Sequence, residues 1–138
     1  MKTIVLIGCS KKKLNKCAKA SDLYQGAIFQ KSLDIAKRDY SDAEIFVLSA
    51  KNGLVPIDEQ LCPYNETLNG KSVAHKRQWA QEVTKQMQTH GIDTMQDKFI
   101  IFAGKNYHQY LPIANKNCIF DGCKSIGAIL QKLNKLLS

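Results

Sequence analysis

The sequence lacks the features of a membrane or exported protein. None of its apolar runs approaches the roughly 20 residues that a membrane-spanning helix needs. The apolar start, Thr3 to Ile7, is too short for a signal peptide and lacks a cleavage region. We therefore expect a cytoplasmic protein with no membrane partner. With 138 residues, 44% of them hydrophobic, the chain is typical of one globular domain spanning residues 1–138.

Cysteine pairs with metal or redox spacing are also missing. The five cysteines are unevenly spaced and include no C-x-x-C pair. We therefore expect buried or idle thiols, kept reduced by the compartment, and no disulfide framework. A zinc site that combines them with His75, His90 or His108 has little support in the spacing. We predict no metal and no cofactor.

Familiar phosphate-binding and catalytic motifs are absent as well. The chain has neither G-x-x-x-x-G-K-[ST] nor G-x-G-x-x-G, which disfavours ATP hydrolysis and dinucleotide-dependent redox chemistry. Ser49 is not in a G-x-S-x-G segment, and no histidine lies near Cys9 along the chain. The sequence therefore contains no ready-made catalytic triad.

Acidic residues are absent from residues 1–20, where six lysines lie. This block supplies six of the eight net positive charges of the chain. Clustered lysines attract the phosphates of nucleic acid or nucleotides. A solvated loop that only keeps the protein soluble explains the same charges equally well. The charge alone leaves both interpretations open.

Hydrophobic runs typical of buried strands alternate with segments of helical spacing. The strand patterns cover 3–7, 44–50, 99–103 and, more weakly, 117–120, and the helical patterns cover 21–38, 72–90 and 125–137. This alternation predicts an α/β fold: a single three-layer domain with a mostly parallel sheet of four or five strands and helices on both faces. A fifth strand would lie within 51–71.

Small and polar residues follow each predicted strand. In a parallel sheet, ligands bind beyond the carboxyl ends of the strands. Glycines and serines at these ends give a ligand access to backbone N–H groups, and adjoining lysines can neutralise phosphate. The pattern therefore predicts a nucleotide or nucleic-acid site at this edge of the sheet.

The strand ends and the loops facing them provide the candidate residues. Cys9 is a candidate nucleophile, because the neighbouring lysines favour its thiolate. Ser49 and Asp121 are the other catalytic candidates, with Asp121 or Asp58 assisting a water molecule. Glu59 and Glu66 also lie nearby. Any one of the four carboxylates can orient a water molecule, although a turn or capping role is the default for each. The candidates for binding substrate or phosphate are Ser10, Lys11, Lys12, Lys13, Tyr24, Lys51, Gly53, Tyr64, Asn65, Gly104 and Tyr107.

Tyr64 and Trp79 are the aromatic residues with two interpretations. Tyr64 lies in a Cys-Pro-Tyr-Asn loop, where its ring can stack on a base or serve packing equally well. Trp79 lies beside Ala80 in a helical pattern, which favours core packing.

Several of these segments together resemble a known family. Residues 9–13 resemble C-S-x-x-K, residues 23–29 resemble L-Y-x-G-x-x-F, residues 48–54 resemble L-S-A-K-Y-G-L, and residues 63–68 resemble P-Y-[DN]-x-T-L. The combination resembles a family of bacterial and phage domains of unknown function that is distantly similar to the peroxide-stress YaaA family. Asn52 replaces the usual Tyr, and residues 120–122 replace a P-L-x-G segment.

The resemblance implies a role with nucleic acid or its bases. YaaA proteins are linked to DNA binding and to protection against oxidative damage. The C-S-x-x-K segment is similar to one in the core domain of archaeosine synthase, and the wider group looks similar to uracil-DNA-glycosylase-like folds. We therefore expect an enzyme that acts on a nucleobase, nucleotide or nucleic acid, by N-glycosidic cleavage or base modification. The alternative is a non-catalytic DNA- or RNA-binding protein linked to DNA damage or oxidative stress.

Overall fold

The structure, a computed structural model, describes all 138 residues. The strands are β1 (Thr3–Gly8), β2 (Ala18–Lys19), β3 (Glu44–Ser49), β4 (Gly53–Pro56), β5 (Gln60–Leu61), β6 (Lys98–Phe102) and β7 (Lys116–Cys118). The helices are α1 (Ala20–Leu23), α2 (Ala27–Asp39), α3 (Val73–Thr89), α4 (Lys105–His108) and α5 (Ile126–Leu137).

Five strands form the main sheet in the order β4-β3-β1-β6-β7. β1 lies at the centre and pairs in parallel with β3 and β6, and β7 is parallel to β6. The central position explains the unbroken apolar run of β1, since Ile4 to Ile7 are all 0% exposed. The edge strand β4 is antiparallel to β3. The predicted α/β fold with a mostly parallel sheet is confirmed, and the fifth strand lies within 51–71.

Helices cover both faces of the sheet. α3 packs Trp79, Val83 and Met87 into the core on one face, and α2 and α5 pack Leu33 and Leu133 into the core on the other. The three predicted layers are therefore present, and Trp79 is a core residue as its helical spacing indicates. None of the helices has both the length and the hydropathy needed to cross a membrane.

The predicted helix over 21–38 is interrupted. Residues 24–26 separate α1 from α2, and Gly26 caps the start of α2. Tyr24 forms a β-bridge with Lys13, and the backbone N–H of Gln25 donates to the Lys12 carbonyl at 2.8 Å. The segment therefore leaves the helical path because it pairs with the lysine loop, which we define as residues 9–16.

Cys17 and Cys62 form a disulfide, so the prediction of five thiols is wrong for this pair. The reason lies in the pairing of the short strands β2 and β5. Their antiparallel register sets Ala18 opposite Leu61, which brings the residues just outside, Cys17 and Cys62, face to face with Cα atoms 4.0 Å apart. Both residues are exposed, and the other three cysteines are thiols.

Removing this disulfide should lower the stability of the protein. The bond joins residues 45 apart in sequence, and the entropy of closing such a loop in the unfolded chain corresponds to about 4 kcal/mol. We expect Cys17→Ser combined with Cys62→Ser to lower the free energy of unfolding by roughly that amount in urea denaturation without reductant. Cys123→Ser, which leaves the disulfide intact, is the control. Equal transition midpoints for the double variant and the wild type would contradict the prediction.

Candidate functional site

A chain of three hydroxyl groups lies beneath the carboxyl edge of the sheet. The Tyr64 hydroxyl is 2.7 Å from both the Tyr24 hydroxyl and Ser49 Oγ. We call these three residues the tyrosine–serine network. Ser49 ends β3 and Tyr24 follows α1, and both are 0% exposed. Ser49 Oγ also accepts a hydrogen bond from the Asn52 backbone N–H at 3.0 Å. The network therefore joins three separate segments of the chain.

Burial keeps the hydroxyls of this network protonated. It raises the pKa of Tyr64 far above its usual range, and the proximity of Cys9 raises it further. Burial also raises the pKa of Tyr24, although the hydrogen bonds from Tyr64 and Ser49 oppose the shift. Both tyrosines are therefore neutral at physiological pH and act as hydrogen-bonding groups.

A polar pocket of about 500 Å³, which we call the site pocket, opens beside this network. Its volume falls within the range of small-molecule sites in proteins. The lysine loop, the loop after Tyr64 and α4 all contribute to its wall. The lining residues are Cys9, Ser10, Lys11, Lys13, Asn65, Glu66, Thr67, Asn69 and Tyr107.

Lys13 is held at the pocket by contacts with its own loop and with Tyr64. Its Nζ lies 4.4 Å from the centroid of the Tyr64 ring and donates a hydrogen bond to the Lys11 carbonyl at 3.3 Å. Burial lowers the pKa of Lys13, while the proximity of Cys9 acts in the opposite direction. The ammonium group therefore occupies a face of the Tyr64 ring and is partly stripped of water, which strengthens its attraction for an anion.

Tyr107 connects Cys9 to the opposite side of the pocket. Cys9 Sγ donates to the Tyr107 hydroxyl at 3.7 Å, and this hydroxyl also accepts from the Leu68 backbone N–H at 3.3 Å. The Tyr107 ring packs edge-on against Trp79, and the Trp79 indole N–H donates to the Ser49 carbonyl at 2.9 Å. Burial raises the pKa of Tyr107, with a further contribution from Cys9. The contacts tie the pocket to α3.

Ser10 and Lys12 shape the lysine loop. Ser10 Oγ donates to the Lys12 carbonyl at 2.8 Å and accepts from the Gly26 backbone N–H at 3.2 Å. A side chain at position 26 would bring its Cβ within 2.7 Å of the Ser10 Cβ, so this approach requires glycine. Ser10 also lines the site pocket, whereas the Lys12 side chain is exposed outside its lining.

Lys51 and Gly53 line a neighbouring cavity of about 380 Å³. Glu66 borders this cavity as well as the site pocket. Gly53 has a φ of 75°, a conformation that favours glycine. The following N–H, of Leu54, donates to the Gln86 side chain at 2.7 Å. Gly53 thus forms the turn that places Lys51 at this cavity.

Gly104 and Asp121 lie outside the site pocket. Both line a separate cavity of about 490 Å³ near the end of β7. Asp121 is close to His108 and Cys118, and the three side chains have ligand atoms within 4.8 Å of one another, a spacing that can hold a metal ion. Burial lowers the pKa of His108, with Lys116 adding to the shift, and burial raises the pKa of Cys118.

The structure brings Cys9, Ser10, Lys11, Lys13, Asn65 and Tyr107 of the predicted set together around one pocket. Ser49, Tyr24 and Tyr64 form the network beside it. Thr67 and Asn69 are not among the residues predicted from the sequence, and for Glu66 the default prediction is a turn or capping role. Glu66 and Thr67 lie within the P-Y-[DN]-x-T-L pattern of residues 63–68, which could have indicated them, and Asn69 is the next residue after it.

Fold and pocket together define a small α/β protein with a polar pocket at the carboxyl edge of a parallel sheet. Residues 4–133 match the family model of DUF6884, a family of unknown function, and the chain belongs to this family. No curated protein and no solved structure matches the chain significantly.

Removing the Tyr64 hydroxyl should destabilise the protein. Tyr64→Phe leaves the buried Tyr24 hydroxyl and Ser49 Oγ without their shared partner, which costs about 1–3 kcal/mol. Urea denaturation should show this loss in the free energy of unfolding. Tyr110→Phe is the matched control, because Tyr110 contacts Arg77 outside the network. If both variants unfold at the same urea concentration as the wild type, the network contributes no stability.

Proposed function

We propose that this chain is an enzyme that acts on a nucleotide or on a base of nucleic acid, by hydrolysis of an N-glycosidic bond. The proposal rests on the side chains that line the site pocket. Within about 500 Å³ it combines lysine ammonium groups, a carboxylate and side-chain amides. A nucleoside phosphate presents the complementary groups: an anion, a sugar and a hydrogen-bonding base edge.

Lys11 and Lys13 are the phosphate-binding groups in this proposal. Both line the pocket, and Lys13 is pre-positioned over Tyr64. A lysine that is already partly desolvated and restrained loses less freedom when an anion binds. Lys13 therefore contributes more affinity than an unrestrained surface lysine.

Asn65 and Asn69 are suited to the base. Each side-chain amide offers both donor and acceptor atoms, as the edge of a nucleobase does. Both lie in the loop that also carries Thr67, whose hydroxyl can reach the sugar or the base from the pocket wall. Since the ring of Tyr64 already faces Lys13, its role in this proposal is to position that lysine.

Glu66 is the group that assists the reaction. When the bond between C1′ and the base nitrogen breaks, positive charge develops on the sugar, and a nearby carboxylate stabilises it. Glu66 accepts a proton from the attacking water as the new C1′–O bond forms, and the departing base takes up a proton. The products are the free base and the sugar phosphate. Cys9 lies at the same pocket and provides a nucleophile for the related alternative, transfer or modification of the base.

The proposed relationship to YaaA proteins and to uracil-DNA-glycosylase-like folds agrees with this reaction class. It is supported by the motif resemblance in residues 9–13, 48–54 and 63–68. Residues 9–13 and 63–68 contribute to the site pocket, and Ser49 contributes to the network beside it. The cytoplasmic location remains a prediction, and the disulfide gives it no support, since disulfides are uncommon in reducing compartments.

The reaction is tested by assaying base release. Wild-type protein is incubated with the nucleoside 5′-monophosphates and with DNA and RNA oligonucleotides, and free bases are quantified by chromatography and mass spectrometry. We expect release from at least one substrate. Glu66→Gln should lower kcat about 10²–10⁴-fold, and Lys13→Ala should raise KM roughly tenfold to hundredfold.

Two substitutions outside the pocket serve as matched controls. Glu59→Gln removes an exposed carboxylate, and Lys37→Ala removes an exposed lysine on α2. Both should leave kcat and KM unchanged. No base release from any substrate, or an equal loss in Glu66→Gln and Glu59→Gln, would contradict the proposed reaction.

The second candidate is a non-catalytic nucleic-acid-binding protein, linked to DNA damage or oxidative stress. The exposed lysines outside the site pocket favour it, since Lys12, Lys16 and Lys19 are free to contact a phosphate backbone. In this case, fluorescence anisotropy should show salt-sensitive binding to oligonucleotides. The combined alanine variant of these lysines should reduce the salt slope by roughly 0.9 for each lost phosphate contact. Unchanged binding in that variant would exclude this candidate.

A further inference from the structure

A second group of reactive side chains lies away from the site pocket. We call His108, Cys118 and Asp121 the His108 cluster. They come from the end of α4, the end of β7 and the turn that follows β7. His108 Nδ1 and Cys118 Sγ are 3.8 Å apart, and one ligand atom from each of the three side chains lies within 4.8 Å of the other two.

Backbone hydrogen bonds hold these elements in place. The Asp121 N–H donates to the Cys118 carbonyl at 3.2 Å, which closes the turn after β7. β7 is itself paired with β6, where Cys118 lies opposite Ile101. On the other side, the Leu111 N–H donates to the His108 carbonyl at 3.1 Å. The main chain therefore brings the side chains together without any ligand.

The donor atoms are those of a zinc site. Imidazole nitrogen, thiolate sulfur and carboxylate oxygen all bind Zn²⁺, with bond lengths of about 2.0–2.3 Å. Tetrahedral geometry with such bonds requires donor atoms roughly 3.3–3.8 Å apart. The His108–Cys118 separation already meets this requirement. Asp121 is exposed, so rotation of its side chain can bring the carboxylate about 1 Å closer.

The surroundings leave room for one more ligand. His108 and Asp121 line the cavity of about 490 Å³ described above, so a metal held between them would face open space. Lys105 and Lys116 also line this cavity. Their charges disfavour a bare cation, but one thiolate and one carboxylate neutralise a divalent ion completely.

We propose that His108, Cys118 and Asp121 bind one divalent transition-metal ion, with Zn²⁺ as the preferred ion and the fourth coordination position open to water or to a ligand in the cavity. Three protein ligands with one open position are typical of catalytic zinc sites, in contrast to the closed sets of four found in structural sites. The inference is independent of the site pocket, because none of the three residues lines it.

Cobalt substitution tests the site directly. Metal-free protein, with its disulfide intact and under argon, is titrated with CoCl₂ and followed by absorption spectroscopy. We expect a saturating thiolate-to-cobalt charge-transfer band and the intense visible bands of tetrahedral Co²⁺. Added ZnCl₂ should remove both. Failure of the wild type to develop these bands would overturn the proposal.

Variants identify the ligands. Cys118→Ser should lose the charge-transfer band. Asp121→Asn should raise the Kd for Co²⁺ roughly tenfold or more, because loss of a residue that only hydrogen-bonds a metal ligand already has an effect of that size. Cys123→Ser is the matched control, because Cys123 lines the same cavity without belonging to the cluster. A band that persists in Cys118→Ser, or one that disappears in Cys123→Ser, would overturn the assignment. Circular dichroism of each variant confirms that it is folded.

Discussion

The shared hydroxyl of Tyr64 is the interaction on which the site pocket depends. It joins the end of β3, through Ser49, to the segment between α1 and α2, through Tyr24. Both partners are fully buried, so neither can find water as a substitute. The position of Tyr64 in turn fixes Lys13 above its ring and the start of the Asn65–Asn69 loop. A pocket made largely of loops thus acquires a defined shape from a few buried polar contacts.

The disulfide strengthens the same arrangement from outside. Cys17 follows the lysine loop and Cys62 precedes Tyr64 by two residues, so the bond ties together the loops on both sides of the pocket. Local stability in proteins varies from segment to segment, and loops with few buried contacts open most readily. The covalent tie and the tyrosine–serine network together oppose such opening. Because the disulfide is exposed, a reductant can reach it without unfolding the protein.

The sheet could be predicted from the sequence because each of its main strands is recognisable from its own run of residues. The apolar runs of β1, β3 and β6 indicate strands that are buried on both faces. The alternation of these strands with helices implies that they pair in parallel. The position of Cys9 and the lysine loop at the carboxyl edge of the sheet follows from the same pattern, because they come directly after β1. The disulfide could not be predicted in this way. It follows from the register of two strands of two residues each, which carry no pattern of their own.

The separation of Asp121 from Cys9 likewise could not be predicted, because it depends on the order of the strands in the sheet. Both follow strands, but the sheet order places β6 between β1 and β7. Asp121 therefore joins His108 and Cys118 at the sheet edge, away from the site pocket. Ser49 shows a second limit. Its position at a strand end was predictable, but the direction of its side chain, toward the half-buried Tyr64, follows from tertiary packing alone.

Binding of a nucleoside phosphate in the site pocket can be measured by amide chemical-shift mapping with NMR. The protein is titrated with a nucleoside 5′-monophosphate, and in parallel with the nucleoside and with inorganic phosphate. We expect saturable shifts for the monophosphate at residues 9–13 and 65–69, larger than those caused by the nucleoside or by phosphate alone. Shifts spread over exposed lysines without saturation, or no shifts in these two segments, would contradict it.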